Sequence, residues 1–215
     1  MVSEGIIERV PLSELQKPSY YLPHRYVLKP SSMTPIRPVF DASAKTKESP
    51  SLNQCLHAGP NLIELIPTKL LRFRRRKIGV SADIAKAFLQ ISVTPTDRDV
   101  LRFLWWDSEG KIVVYRHCRA VFGVSSILFL LGATIEMHLL NSLQSETSQK
   151  SRDVIKEMLR SFYVDNYINS VDSYEDLKFI EQKAIKIMIK AGFNLRNWDY
   201  TGMTSIANQT SILVE

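Results

Sequence analysis

The sequence predicts an α+β fold with two helices on one face of an antiparallel sheet, and three observations predict it. Lys77 to Asp83 reads as a strand and Phe162 to Val171 as a hairpin, both rich in β-branched or aromatic residues. Ser125 to about Leu143 is an apolar helical stretch, and Leu177, Ile180, Ala184, Ile187 and Ala191 recur at helical spacing. Phe193 to Trp198 then reads as a last strand. With one inserted hairpin set aside, the order is β-α-β-β-α-β, the split βαβ unit.

Residues 1–19 are polar and weakly patterned around Pro11 and Pro18, and read as a lead-in segment. Tyr20 to Leu28 is a strand broken at Pro23, and Ile36 to Phe40 pairs with it as a hairpin over the Pro30 to Pro35 turn. Asp41 to His57, rich in Ser, Lys, Asn and Pro, is an ordered but irregular loop. Pro60 opens a helix in which Leu62, Leu65, Ile66, Leu70 and Phe73 recur at helical spacing. It ends in Arg74-Arg75-Arg76-Lys77, cations that complement the helix dipole or contact phosphates.

Leu101 to Trp106 and Ile112 to Arg116 form the inserted hairpin, over the Asp107-Ser108-Glu109-Gly110 turn. The Ser125 helix is apolar nearly all round in its first half, which predicts burial. Its greasiest run, Ile127 to Leu140, holds Glu136 and His138 and is too short to span a bilayer. A short helix near Asp153 to Leu159 precedes the Phe162 hairpin. Ser173 caps the next helix, with Glu175 and Asp176 in its first turn, and Gly192 ends it.

At 215 residues the chain is long enough to bury a real core, and 45% hydrophobic with 23% charged residues is an ordinary globular composition. The net charge of +6 permits a polyanionic partner without requiring one. Cys55 and Cys118 stand alone, in no zinc spacing, and read as reduced thiols of an intracellular protein. Met1 to Val10 has no signal-peptide apolar region, so no targeting signal is read and no membrane is expected.

Strand alternation puts Ile78, Val80 and Ala82 on one face and Gly79, Ser81 and Asp83 on the other. In the hairpin Phe162 and Val164 share a face, Tyr163 and Asp165 take the opposite one, and Asp165-Asn166 makes the tight turn before Tyr167. If the two strands pair, both carboxylates crown one cleft on the face the helices leave free. Carboxylates gathered from distant segments suit hard divalent cations, and two such ions can clamp the attacking and leaving oxygens of a phosphoryl transfer.

Several blocks, in order, carry a resemblance. They are Tyr21-Leu22-Pro23-His24, Arg37-Pro38-Val39-Phe40-Asp41-Ala42-Ser43-Ala44-Lys45, Ser51-Leu52-Asn53, Ser81-Ala82-Asp83-Ile84, Lys86-Ala87-Phe88-Leu89-Gln90-Ile91, Phe122-Gly123, Phe162-Tyr163-Val164-Asp165 and Gly192-Phe193-Asn194-Leu195-Arg196. From about Tyr20 to Trp198 the chain resembles the reverse transcriptases, and most closely those of BEL/Pao long-terminal-repeat retrotransposons.

The resemblance implies a right-hand polymerase, with a fingers-like region over residues 20–77 and a palm-like region over 78–198 holding the hairpin 101–116. It implies an RNA-directed DNA polymerase using two Mg²⁺ ions, with Mn²⁺ as a substitute. Asp83, Asp165 and Asn166 take the catalytic positions, with Asp83, Asp165 and the Ile84 carbonyl as metal ligands. Lys29, Arg37, Phe88, Gly123 and Ser126 fall at nucleotide-binding positions, Phe88 where such enzymes exclude a ribose 2′-hydroxyl. Arg74, Arg75, Arg76 and Tyr163 are expected at the nucleic acid. The implied partners are an RNA or DNA template-primer, deoxynucleotides and, in an intact element, protease, RNase H and integrase domains, in the cytoplasm or a virus-like particle.

The chain departs from the family pattern at Asn166, where a second aspartate is common, at Ile127-Leu128, where Ser-Pro opens the pocket helix, and at Ala85, where glutamate is frequent. Residues 199–215 read as a polar tail, with no length for a thumb or RNase H, so the expectation is a fragment or degenerate copy of a longer polyprotein. The competing expectations are an inactive remnant with at most weak nucleic-acid binding, and an RNA-recognition module, which the same element order builds but which needs stacked aromatics on its free face.

Overall fold

A computed structural model describes residues 1–28 and 36–202. Lys29, the Pro30 to Pro35 turn and residues 203–215 lie outside the described residues. In chain order the strands are β1 (Ile7–Arg9), β2 (His24–Leu28), β3 (Ile36–Phe40), β4 (Ile78–Ile84), β5 (Arg102–Trp106), β6 (Ile112–His117), β7 (Phe162–Tyr163), β8 (Asn166–Val171) and β9 (Leu195–Tyr200). The helices are α1 (Ile66–Arg74), α2 (Ile127–Ser145), α3 (Gln149–Ser161) and α4 (Tyr174–Ile189). They fall into two compact units, residues 1–60 with 88–131, and residues 61–87 with those from 132 onward. The 61–77 segment thus belongs with β4, and the β5–β6 hairpin with the N-terminal strands.

In the first unit β2 and β3 pair as the expected hairpin, with His24 opposite Phe40. A second sheet has the order β1-β6-β5. Its registers set Ile7 opposite His117 and Phe103 opposite Tyr115, so these four and Trp105 share one face. Glu8, Arg116 and Arg102 share the other. There Arg116 reaches Glu8 and Glu14 at 2.6 Å and Asp99 at 2.9 Å. Arg102, fully buried, binds Asp99 at 2.9 Å and donates to the carbonyls of Glu14 and Leu15.

Residues 1–19 are therefore structural, not a lead-in. Two cations on β5 and β6 are buried, which is tolerable only with carboxylates beside them, and the N-terminal segment brings Glu8 and Glu14. Burial pushes the Glu8 carboxyl up, but the hydrogen bond from Arg116 and the charge of Arg98 hold it below its ordinary value. Asp99 is lowered the same way, against burial, by Arg116 and Arg102. The loop after β3 is ordered by a capping box in which Ser51 Oγ accepts from the Gln54 amide while Gln54 returns a bond to the Ser51 amide. Leu52 enters a core with Leu22, Ala42, Leu101, Val121 and Val124, each such burial contributing about 1.5–3 kcal/mol for a large aliphatic side chain.

In the second unit an antiparallel sheet has the order β7-β8-β4-β9. Val80, Ala82, Tyr167 and Val171 are buried on one face. Tyr167 bonds there with Asn169 and with Ser161 of α3, and Tyr200 with Glu181 of α4, so both helices lie on that face. Ser173 Oγ caps α4 by accepting from the Asp176 amide, and Gly192 follows it at φ 78°, as the sequence predicts. α3 runs for 13 residues, longer than expected, and β9 takes in Asp199 and Tyr200 from the expected tail.

Two expectations are corrected. α2 is not buried all round: Ile127, Leu131, Ile135 and Leu139 form one buried stripe, while Leu128, Phe129 and Met137 are exposed. Residues four apart stack along one side of a helix, so a single stripe meets the core. At 19 residues α2 is also long and apolar enough, by length and composition, to cross a bilayer, which the shorter run read from sequence was not.

The second correction concerns α1. A 3₁₀ turn capped by Asn61 precedes it, and Pro67 sits in its first turn. Leu65, Leu70 and Leu71 are exposed, and the packed side is Lys69, Arg72 and Phe73. Lys69 Nζ donates to the Arg160 carbonyl at 2.7 Å, satisfying an orphan acceptor at the end of α3. Arg72 pairs with Glu157 at 2.9 Å. Phe73 lies over Gly79, where a Cβ would come within 2.7 Å of the ring. The sheet face opposite α3 and α4 is thus covered by α1 at its Gly79 and Ser170 end.

Candidate active site

β4 and β8 run antiparallel with Asp83 directly opposite Asn166, and Tyr163 of β7 opposite Asn166 in turn. Cross-strand partners share a face, so Asp83, Asn166 and Tyr163 stand side by side at the open end of the sheet. Asp165 is one of two residues in the loop that joins β7 to β8, and its carbonyl accepts from the Ile84 amide at 2.8 Å. That bond fastens the turn to the residue after Asp83. Asp83 and Asp165 are both half-buried and Asn166 is exposed.

The turn itself differs from expectation. Its central residues are Val164 and Asp165, and Asn166 already belongs to β8. Val164 has φ 54°, a left-handed conformation that primed hairpin turns normally give to glycine. For a β-branched residue this is strained, and such strain is kept where surrounding structure over-determines it.

Two donors already engage the carboxylates. Arg196 Nε approaches Asp83 Oδ2 at 3.3 Å, and Asn166 Nδ2 donates to Asp165 Oδ1 at 3.0 Å. Arg196 is a residue of this site that sequence reading did not place here. It reaches its place because β9 slips register between Ser81 and Asp83, and Asn197, in the slipped segment, has φ 51°. No local pattern announces a bulge built on asparagine.

Among the described residues no cluster of three or more His, Cys, Asp or Glu side chains forms a metal cage. The donor set at the strand end is nonetheless all oxygen: two carboxylates and the Asn166 amide oxygen. Mg²⁺ is commonly held by one or two protein carboxylates, with waters and substrate phosphates completing its shell, so these residues fit it.

The other expected residues fall elsewhere. Arg74 and Arg75 are exposed at the end of α1, while Arg76 pairs with Asp172 at 3.8 Å. They precede Ile78, and from Ile78 to Asp83 β4 runs about 17 Å, so they do not join the carboxylates. Lys29 lies outside the described residues, and Arg37 sits on β3 opposite Val27.

Phe88, Gly123 and Ser126 belong to the first unit. Phe88 packs edge-on against Phe122 at 5.5 Å. Gly123 has φ 103°, and a Cβ there would meet the Phe40 carbonyl at 2.9 Å. Asn53, a second residue overlooked, fixes this loop: its Nδ2 donates to the Gly123 carbonyl at 3.0 Å and its Oδ1 accepts from the Ser125 amide at 2.8 Å. The Ser126 carbonyl accepts the first helical bond of α2, from Leu130.

Neither a protein-family model nor a curated protein matches the chain. Solved structures do. The protease-reverse transcriptase of Prototype Foamy Virus superposes with a TM-score of 0.63 at 20% identity, over 90% of this chain and 21% of that one. The fold is that of a viral reverse transcriptase. A foamy viral protease-reverse transcriptase solved in complex with double-stranded DNA gives a TM-score of 0.60 at 20% identity, over 90% of this chain and 33% of that one. The chain spans about a fifth to a third of the length of the structures it matches.

Proposed function

We propose that the chain is the RNA-directed DNA polymerase domain of a retrotransposon of the BEL/Pao type, with β4, β7, β8 and β9 and their helices as palm and the first unit contributing fingers. The observation that carries this reading is the register that sets Asp83 opposite Asn166 and beside Asp165, in a chain with this fold. The complexes of similar proteins with double-stranded DNA support a template-primer as partner.

In this reading Asp83, Asp165 and the Ile84 carbonyl would hold two Mg²⁺ ions, for which Mn²⁺ could substitute. Such ions would supply positive charge to stabilise the attacking and leaving oxygens of a phosphoryl transfer. The chain's own part is positional. The β4–β8 register and the Ile84 to Asp165 bond hold the carboxylates at one strand end, where Arg196 would compete with a cation for Asp83 Oδ2. Arg37 and Lys29 would hold the triphosphate, Phe88, Gly123 and Ser126 the nucleotide pocket, and Tyr163 with Arg74, Arg75 and Arg76 the nucleic acid.

A second reading has its own observation. Asn166 replaces a carboxylate and Arg196 is paired to Asp83, as expected of an inactive remnant that keeps the fold. Primer extension on a poly-A RNA template with Mg²⁺ separates the two. The polymerase reading expects extension that Asp83→Ala and Asp165→Ala abolish. Extension appearing only in Asn166→Asp would establish the remnant.

A further inference from the structure

Two strand edges of the first unit start out paired and then part. The chain just before β2 lies parallel to the start of β5 at the Tyr21–Arg102 bridge, where the Arg102 amide donates to the Tyr20 carbonyl at 3.2 Å and the Leu22 amide to the Arg102 carbonyl at 2.7 Å. Beyond Pro23 that ladder stops. Among the described residues no backbone bond joins β2 to the rest of β5. A cavity of about 400 Å³ opens there instead, lined by His24, Arg25, Tyr26, Leu104, Trp105 and Trp106 among others.

Alternation fixes which backbone groups point toward this gap, because residues of an antiparallel pair bond to the partner strand and away from it by turns. The Asp41 amide donates to the Pro23 carbonyl, so Arg25 also faces β3, which leaves the amides and carbonyls of His24 and Tyr26 on the outer edge. On β5 the amide and carbonyl of Arg102 point outward to Tyr20 and Leu22. Leu104 and Trp106 therefore point outward too, while Phe103 and Trp105 bond to β6. Tyr26, Leu104 and Trp106 are all exposed, so a ligand can reach both edges.

An unpaired edge is a template for one more strand, and here two of them border one cavity. We infer that the gap between β2 and β5 takes an extended peptide of a partner protein by strand addition, along about 10 Å of each edge, with β-branched apolar residues on either side of a carboxylate. The side-chain order follows from the strands. His24 stacks on Trp105 at 5.2 Å, so His24, Tyr26 and Trp105 share one face, and Arg25, Leu104 and Trp106 share the other. The first face receives the apolar residues. On the second, Arg25 is exposed and in no ion pair among the described residues, and it meets the carboxylate. Among the described residues Arg25 is also the only Asp, Glu, Lys or Arg that lines the gap. One cation suits one carboxylate; a nucleic-acid strand needs a positively charged groove along its backbone.

The probe is the peptide acetyl-Thr-Val-Glu-Val-Thr-amide, titrated into the full chain and followed by chemical shift and hydrogen exchange at the amides of Tyr26, Leu104 and Trp106. It should saturate, shift these amides and slow their exchange. N-methylation at its central Glu removes one backbone donor and no side chain, and should weaken binding about twofold to tenfold, the worth of one hydrogen bond. Lys in place of that Glu should weaken it by up to about fivefold. Leu104→Pro deletes an outward amide that β6 does not use, and should lower the affinity likewise. The comparison of plain and N-methylated peptides on the unaltered chain decides the matter even where that variant fails to fold. Equal affinity for those two peptides, no saturable shift, self-association of the chain through the same amides, or oligouridylate displacing the peptide from them would each overturn the proposal.

Discussion

Arg196 Nε sits 3.3 Å from Asp83 Oδ2, a contact between residues 113 positions apart that the β9 bulge makes possible. A guanidinium there competes with any cation for the same carboxylate. Both side chains keep solvent contact, so the pair is worth at most about 1 kcal/mol. Arg196→Ala should therefore tighten divalent-ion binding by up to about fivefold, with no comparable loss of stability, as read by Mn²⁺ titration and urea unfolding.

Val164 holds a left-handed backbone in the turn that carries Asp165. Such a conformation costs an L-residue roughly 1–2 kcal/mol, part of which glycine returns as unfolded-state entropy. Val164→Gly should stabilise the chain by roughly 0.5–1 kcal/mol in chemical denaturation. Destabilisation would mean that the valine side chain contributes packing that outweighs the strain.

Gly79 gives Phe73 its seat on the sheet, with a would-be Cβ 2.7 Å from the ring. Gly79→Ala should force α1 away and cost roughly 1–3 kcal/mol, as overpacking does. Pairing it with Phe73→Leu should recover part of that loss, since the smaller side chain leaves room. A double-mutant cycle on unfolding free energies reads the coupling directly.

His117 makes stability depend on pH. Its ordinary pKa of 6.5 is lowered to about 4 in the fold by burial and by His24. Between these values the unfolded chain binds a proton that the folded chain does not, so stability falls as pH falls from 6.5 toward 4. The loss over that window is about 3 kcal/mol. His117→Phe should flatten it, measured as unfolding free energy at several pH values.

Much of this was legible because the elements are local. The hairpins, the Ser173 cap and Gly192 follow from patterns within a few residues of each other, and Asp83 stands at a strand end that alternation locates, whereas Asp165 lies in the turn and not on a strand face. What sequence missed is non-local. Glu8 and Glu14 looked like polar lead-in because their partners, Arg98 and Arg116, come about ninety to a hundred residues later. α1 showed an apolar stripe, yet Lys69 and Arg72 face inward because the end of α3 offers them a carbonyl and a carboxylate. The turn was placed one residue late because Val164 is a residue type that turn rules exclude. Arg196 depends on a bulge that no spacing encodes.

The most direct measurement is Mn²⁺ binding, followed by water-proton relaxation, to the unaltered chain, Asp83→Ala and Asp165→Ala. If Asp83 and Asp165 form one divalent-ion site at the end of β4, the unaltered chain binds Mn²⁺ and each substitution weakens it about tenfold or more, a loss of at least 1.4 kcal/mol. Unchanged Mn²⁺ affinity in Asp83→Ala would contradict a shared site and, with it, the polymerase chemistry proposed for this chain.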